Sequence, residues 1–178
     1  MWDTQKPPEA AEAALRILES LSLSPYDDGR GFWTIGYGAR RDPAGRPVTP
    51  NTPPVTEDQA EAMLERDVKD ALRFVRGGVM IPIPECQAAA LVLLAFNLGE
   101  LRVAAPTLLR SVNTQRLPEA AKAFSLYQNS AGKPMLGLRR RRWMEAAIFL
   151  GGDPAKAHAT AWSQINRITD WPPLPAPA

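Results

Sequence analysis

Cysteine and histidine are nearly missing from this chain: its 178 residues contain Cys86 and His158 as the single member of each type. One cysteine excludes an internal disulfide, so the fold does not depend on an oxidising compartment. One histidine, in a polar segment near the C-terminus, supports neither a Ser-His-Asp triad nor a His-rich metal site, which argues against serine and zinc hydrolases. Charge is nearly balanced, with 21 Lys and Arg against 19 Asp and Glu. A net charge of +2 does not by itself point to nucleic acid, because steering takes a concentrated field. The strongest apolar run, Cys86 to Leu98, is short of the ~20 residues a membrane span requires and contains Asn97. The opening residues M-W-D-T-Q-K-P-P-E-A hold no basic stretch followed by an apolar one, so the expectation is synthesis and folding in a cytoplasm. Internal repeats, a phosphate-binding loop and a dinucleotide fingerprint are also lacking. Carboxylate chemistry remains.

What is present is the balance of a soluble globular protein, 45% apolar and 22% charged, at a length that suits one domain. Proline is abundant at 18 residues, but many of these cluster at the termini and between Pro43 and Pro54, which reads as loops and tails. The informative stretch runs from Glu19 to Gly38, E-S-L-S-L-S-P-Y-D-D-G-R-G-F-W-T-I-G-Y-G. Ala11, Ala14, Leu15 and Leu18 recur at helical spacing over Glu9 to Ser20, and Glu19 lies four after Leu15, at the edge of the buried stripe. A lone Glu in a last turn is ordinarily a solvated charge. Partial burial and the negative end of the helix dipole would both raise its pKa, as a general acid near neutral pH requires.

The period then changes to two through Leu21 and Leu23, and Phe32 to Tyr37 forms a β-rich run, so a hairpin is expected. A turn centred on Gly31 sets Asp28 opposite Thr34, about 5 Å apart across the ladder. Asp28 also suits a turn, but its neighbour Asp27 can serve that purpose. Residues 39–54 read as loop. T-E-D-Q from Thr56 is a capping box that opens a helix of about twenty residues, about 30 Å long, ended by Gly77-Gly78. Cys86 to Leu98 is apolar nearly all round and reads as a buried central helix. Short helices are expected over Pro106 to Val112 and Leu117 to Leu126, longer ones over Leu138 to Leu150 and Ala155 to Asn166, then a polyproline-like tail. Arg139 to Arg142 project in four directions about 100° apart, so most are expected at the surface.

The spacing of Glu19, Asp28 and Thr34, with eight and then five residues between them, together with W-T-I-G-Y-G, resembles the catalytic signature of phage-type lysozymes, glycoside hydrolase family 24. V-T-E-D-Q-A-E-A-M-L-E-R-D-V resembles the family's inter-lobe helix and A-A-L-V-L-L-A-F-N-L-G its central helix. P-T-L-L-R-S-V-N and G-L-R-R-R-R resemble later segments, so the likeness covers roughly residues 12–150 in family order. It implies an α+β, mainly α, two-lobed lysozyme-like domain: a small β lobe over 21–55, a connecting helix over 56–76, a helical lobe from 1–20 plus 77–170, and a Pro-rich tail over 171–178.

It further implies cleavage of the β-1,4 bond between N-acetylmuramic acid and N-acetylglucosamine in peptidoglycan, without cofactor or metal. Glu19 would be the general acid, and Asp28 and Thr34 would activate water. Inversion requires the two carboxyl groups about 6.5–9.5 Å apart. Tyr26, Gly36, Asn97 and Gly99 carry over as substrate-binding or supporting positions, and Arg139 as the basic group that orients the acid. Asn97 equally suits a helix C-terminus. Ser20 replaces the family's usual Gly and would be strained at positive φ, and Pro25 restricts a backbone angle that most members leave free. The implied role is a phage or prophage endolysin, monomeric, without nucleic acid or stable membrane insertion, dependent on a holin-type pore to reach the wall. A lytic transglycosylase and a non-catalytic wall-binding or virion-structural protein are the competing readings; the pairing of Asp28 with Thr34 argues against the first.

Overall fold

The computed structural model describes residues 6–29 and 31–177. Helix α1, Glu9–Leu18, buries Ala11, Ala14 and Leu15 and presents polar residues outward, as its apolar spacing dictates. Its last backbone bond runs from the Glu19 amide to the Leu15 carbonyl at 2.8 Å. Glu19 itself is already extended, at φ −105° and ψ 120°, so the chain leaves the helix there.

Strands β1, Ser22–Asp27, and β2, Trp33–Gly36, form the expected antiparallel hairpin, but its register differs from the sequence expectation. Tyr26 pairs with Thr34 and Asp27 with Trp33, and the Asp28 amide donates to the Phe32 carbonyl at 3.0 Å. The turn is therefore centred between Gly29 and Gly31 and not on Gly31. Asp28 lies opposite Phe32, past the strand end. Both acids brace the turn: Asp27 Oδ1 accepts from the Gly29 amide at 2.8 Å and Asp28 Oδ1 from the Phe32 amide at 3.1 Å. Pro25 falls where the register shifts between Ser22 and Tyr26, a bulged stretch that does not need its missing N–H.

The capping box at Thr56 and Gln59 forms reciprocally and opens α2, Glu57–Gly78. Its first turns pack Ala60 and Met63 with Ile35, Ala39, Val48 and Val55 in a small core beneath the hairpin. Its later turns, from Leu64 to Val75, belong to the main core. One helix thus joins two apolar clusters. Helix α3, Glu85–Leu98, is the centre of the larger cluster, with every residue from Gln87 to Ala95 buried. Around it lie α1, α2 and α7, Leu136–Phe149, with α4, Leu101–Ala104, α5, Pro106–Asn113, α6, Leu117–Ala123, and α8, Pro154–Gln164, completing the helical part. The segment expected as one helix to Leu126 changes after Ala123 to a 3-10 turn, Phe124–Tyr127, and a minimal hairpin of β3, Asn129–Ser130, and β4, Lys133–Pro134, leads into α7.

The Pro-rich end is not a free tail. Trp171 and Leu174 pack against the main core, Trp143 Nε1 donates to the Pro172 carbonyl at 2.9 Å, and the Arg139 guanidinium lies 4.4 Å from the centre of the Trp171 ring.

Candidate active site

The site forms where the end of α1, the hairpin and the middle of α7 meet. Leaving the helix at Glu19 turns its side chain toward α7, where Arg141 Nη1 donates to Glu19 Oε1 at 2.6 Å. The pair is largely sheltered, with the side chains 10% and 22% exposed. The partner expected from sequence was Arg139, and that expectation is corrected here. Arg139 donates from Nε to the Asp170 carbonyl at 2.8 Å and from Nη1 to Gln128 Oε1 at 2.9 Å, so it anchors the C-terminal segment. Two positions along a helix are 200° apart, which places Arg139 and Arg141 on nearly opposite faces.

Behind Arg141 stands Glu145, one turn on and fully buried. Its Oε1 accepts from Arg141 Nε at 3.1 Å and pairs with Arg142 Nη2 at the same distance. Arg142 Nη2 also donates to Asn97 Oδ1 at 2.8 Å. The charges thus alternate along a chain from Glu19 through Arg141 and Glu145 to Arg142, closed by an amide. Desolvation by burial lowers the Arg142 pKa to about 10 despite Glu145. Burial would also lower that of Arg141, but its two carboxylate partners outweigh it and the net direction is up. Burial raises Glu145 against the pull of both guanidiniums. The expectation that most of the four arginines are surface charges therefore fails: Arg141 and Arg142 are buried because carboxylates meet them, while Arg139 and Arg140 are half-buried. Arg140 Nε donates to the Ile165 carbonyl at 2.9 Å.

The other oxygen of Glu19 faces the hairpin exit. A β-carbon built on Gly38 would lie 3.8 Å from Glu19 Oε2 and 3.9 Å from the Tyr26 hydroxyl, so these two groups border one space that the glycine leaves open. On the hairpin, the Asp28 side chain is 17% exposed, with Arg40 Nη2 3.6 Å from its Oδ2. Arg40 also covers the Phe32 ring at 3.9 Å from its centre. Thr34 is buried at 3% exposure, and its hydroxyl reaches the Tyr26 carbonyl at a long 3.4 Å. A polar bridge fixes the hairpin exit to α1 and α2: Tyr37 donates to Glu61 Oε1 at 2.7 Å and Arg16 to Glu61 Oε2 at 3.1 Å.

The remaining expected positions serve the frame. Gly36 lies against α2, where a β-carbon would come within 3.2 Å of Met63 Cε. Gly99 ends α3 at φ 86°, and Asn97 holds Arg142. Ser20 carries no positive-φ strain, since the non-glycine residues at positive φ among those described are Gln115 and Ala131.

The family described as Phage lysozyme matches residues 16–145, which takes in every element from the end of α1 to Glu145. This chain belongs to the phage lysozyme family. The phage lysozyme match makes it a glycosidase, and its relatives agree. The endolysin of Salmonella phage P22 is 33% identical over 136 residues, covering 76% of this chain and 92% of that protein. The SAR-endolysin of Enterobacteria phage P21 is 30% identical and covers 76% of this chain and 79% of its own length. Among solved structures, the endolysin from Escherichia coli O157:H7 phage FAHEc1 superposes with a TM-score of 0.73 at 30% identity, covering 82% of this chain and 93% of that one. The muramidase domain of SpmX from Asticaccaulis excentricus gives 0.68 at 30% identity, with coverage of 82% and 97%. For this phage lysozyme, sequence reasoning missed Arg141, Glu145 and Gly38. Glu145 was within reach as a partner, because an acid four residues after Arg141 on one helix lies beside it.

Proposed function

We propose that this protein is a peptidoglycan muramidase that hydrolyses the β-1,4 bond between N-acetylmuramic acid and N-acetylglucosamine, acting as an endolysin in phage or prophage lysis. The observation that carries this reading is the asymmetric setting of Glu19, with Oε1 held by Arg141 and Oε2 facing the space left by Gly38. A carboxyl group held in that way has one oxygen fixed and the other available to carry a proton. Glu19 donates that proton to the glycosidic oxygen as the bond breaks. Asp28 stabilises the oxocarbenium-like transition state and takes a proton from the attacking water, which Thr34 orients. The water oxygen joins the anomeric carbon from the opposite face, the product is a reducing sugar, and the configuration inverts. Arg40 Nη2 lies 3.6 Å from Asp28 Oδ2, on the hairpin side of the site.

Among the described residues no helix is long and apolar enough to cross a membrane. We further propose that the enzyme is made in the host cytoplasm, works as a monomer and reaches the wall through a holin-type pore.

Mass spectrometry of peptidoglycan digested by the wild type and by Glu19→Gln tests the reaction and its acid together. Reducing-end muropeptides from the wild type and none from the variant are the expected result. A 1,6-anhydro-muramic product would replace hydrolysis by transglycosylation, and no cleavage at all would leave a wall-binding protein with this fold.

A further inference from the structure

Arg141 meets two carboxylates at once, and the manner of that contact has a chemical consequence. Its Nε is taken by Glu145 and its Nη1 by Glu19, while Nη2, buried, has no hydrogen-bond partner among the described residues. A guanidinium ordinarily meets a carboxylate as a fork, with two parallel N–H donors on two oxygens. Here Glu19 receives one prong only. Turning Arg141 so that Nη1 and Nη2 together engage Glu19 would occupy Oε2, the oxygen that borders the space beside Gly38 and the Tyr26 hydroxyl. Glu145 blocks that turn by gripping Nε. Glu145 is itself held through Arg142, which Asn97 anchors from the end of α3.

We propose that Glu145 is a positioning residue for catalysis: by holding Arg141 side-on it prevents a two-pronged clamp on Glu19 and keeps Oε2 free for the transferable proton. The proposal rests on Glu19 being the general acid. It explains why a fully buried carboxylate lies on α7 behind the site, where a buried pair does little for stability compared with an apolar replacement. It also gives Asn97 and Arg142 a part in the site without contact with the sugar.

The test is steady-state hydrolysis of soluble peptidoglycan strands, with kcat and KM separated and folding followed by circular dichroism melts. Glu145→Met removes the oxygen that holds Nε, which Gln would retain, and is expected to lower kcat about tenfold, short of the ~10²–10⁴-fold that a positioned acid itself contributes, at nearly unchanged KM. Arg141→Lys supplies the discriminating step, since a lysine ammonium is a point charge and cannot form the fork. Added to Glu145→Met it should raise kcat, whereas in the wild-type background it should not. A merely structural Glu145 predicts the opposite, a double variant weaker than either single change. Wild-type kcat in Glu145→Met, or a double variant no better than Glu145→Met, overturns the proposal. If Glu145→Met melts early, Glu145→Met combined with Arg142→Met removes the orphaned charge, and the same low kcat is required of it. Glu19→Gln is measured beside them: substantial activity there would remove the acid assignment itself, an outcome distinct from any shown by the Glu145 variants.

Discussion

Arg141 and Glu19, 122 positions apart in the chain, are joined by a 2.6 Å hydrogen bond that ties the middle of α7 to the end of α1. The bond belongs to Arg141 and not to Arg139, and the two arginines should separate cleanly on substitution. Arg141→Ala strands Glu19 and leaves the fully buried Glu145 with Arg142 alone, and is expected to cost about 3–5 kcal/mol of stability together with activity. Arg139→Ala frees Trp171 and the Asp170 carbonyl and is expected to cost about 1–2 kcal/mol while leaving kcat near wild type. Urea unfolding and turbidity clearing of outer-membrane-permeabilised cells check both. Equal losses of lysis in the two variants would contradict the assignment.

Glu19→Gln should abolish clearing with an unchanged melting profile. Asp28→Ala should reduce clearing by roughly 10²–10⁴-fold, the range of positioned acid and base groups. Part of the Asp28 effect passes through the hairpin, since Oδ1 also accepts the Phe32 amide, so Asp28→Asn is the informative comparison. An Asp28→Asn enzyme with wild-type rates would remove the base from the proposed reaction.

Gly38→Ala puts a methyl group between Glu19 Oε2 and the Tyr26 hydroxyl at φ 84°. The backbone alone should cost of order 1 kcal/mol, as it should for Gly45→Ala at φ 79°, where a β-carbon meets nothing within 4 Å. The two variants are therefore expected to melt alike, with activity lost in Gly38→Ala only. Matching activities would mean that the space beside Glu19 plays no part in turnover.

Asp42 closes the loop after the hairpin, accepting from the Arg46 amide and guanidinium at 2.9 Å each. These contacts, the backbone bond first, hold its carboxyl below the usual range. A depressed carboxylate contributes stability that is present above the unfolded value of ~3.9 and is lost as pH falls through the lower folded value. Amide exchange at Arg46, corrected for its intrinsic pH dependence, should lose protection over that acid window in the wild type and not in Asp42→Asn. Protection that is flat through the window would show that Asp42 does not hold the loop.

Local order was legible in the chain before any coordinates. Apolar spacing marked α1, α2 and α3, the Thr56 and Gln59 pair marked the start of α2, and alternation with glycines marked the hairpin, because each of these signals is set by residues within a few positions of one another. The family was readable for the same reason. Tertiary structure decided the hairpin register, where a shift in the turn centre set Thr34 against Tyr26 in place of Asp28. It decided that the proline-rich end docks on α7. It also decided which arginine meets Glu19. Four consecutive arginines are equivalent as a string, and only the burial of one helix face against Glu19, Glu145 and Asn97 makes Arg141 and Arg142 different from Arg139 and Arg140.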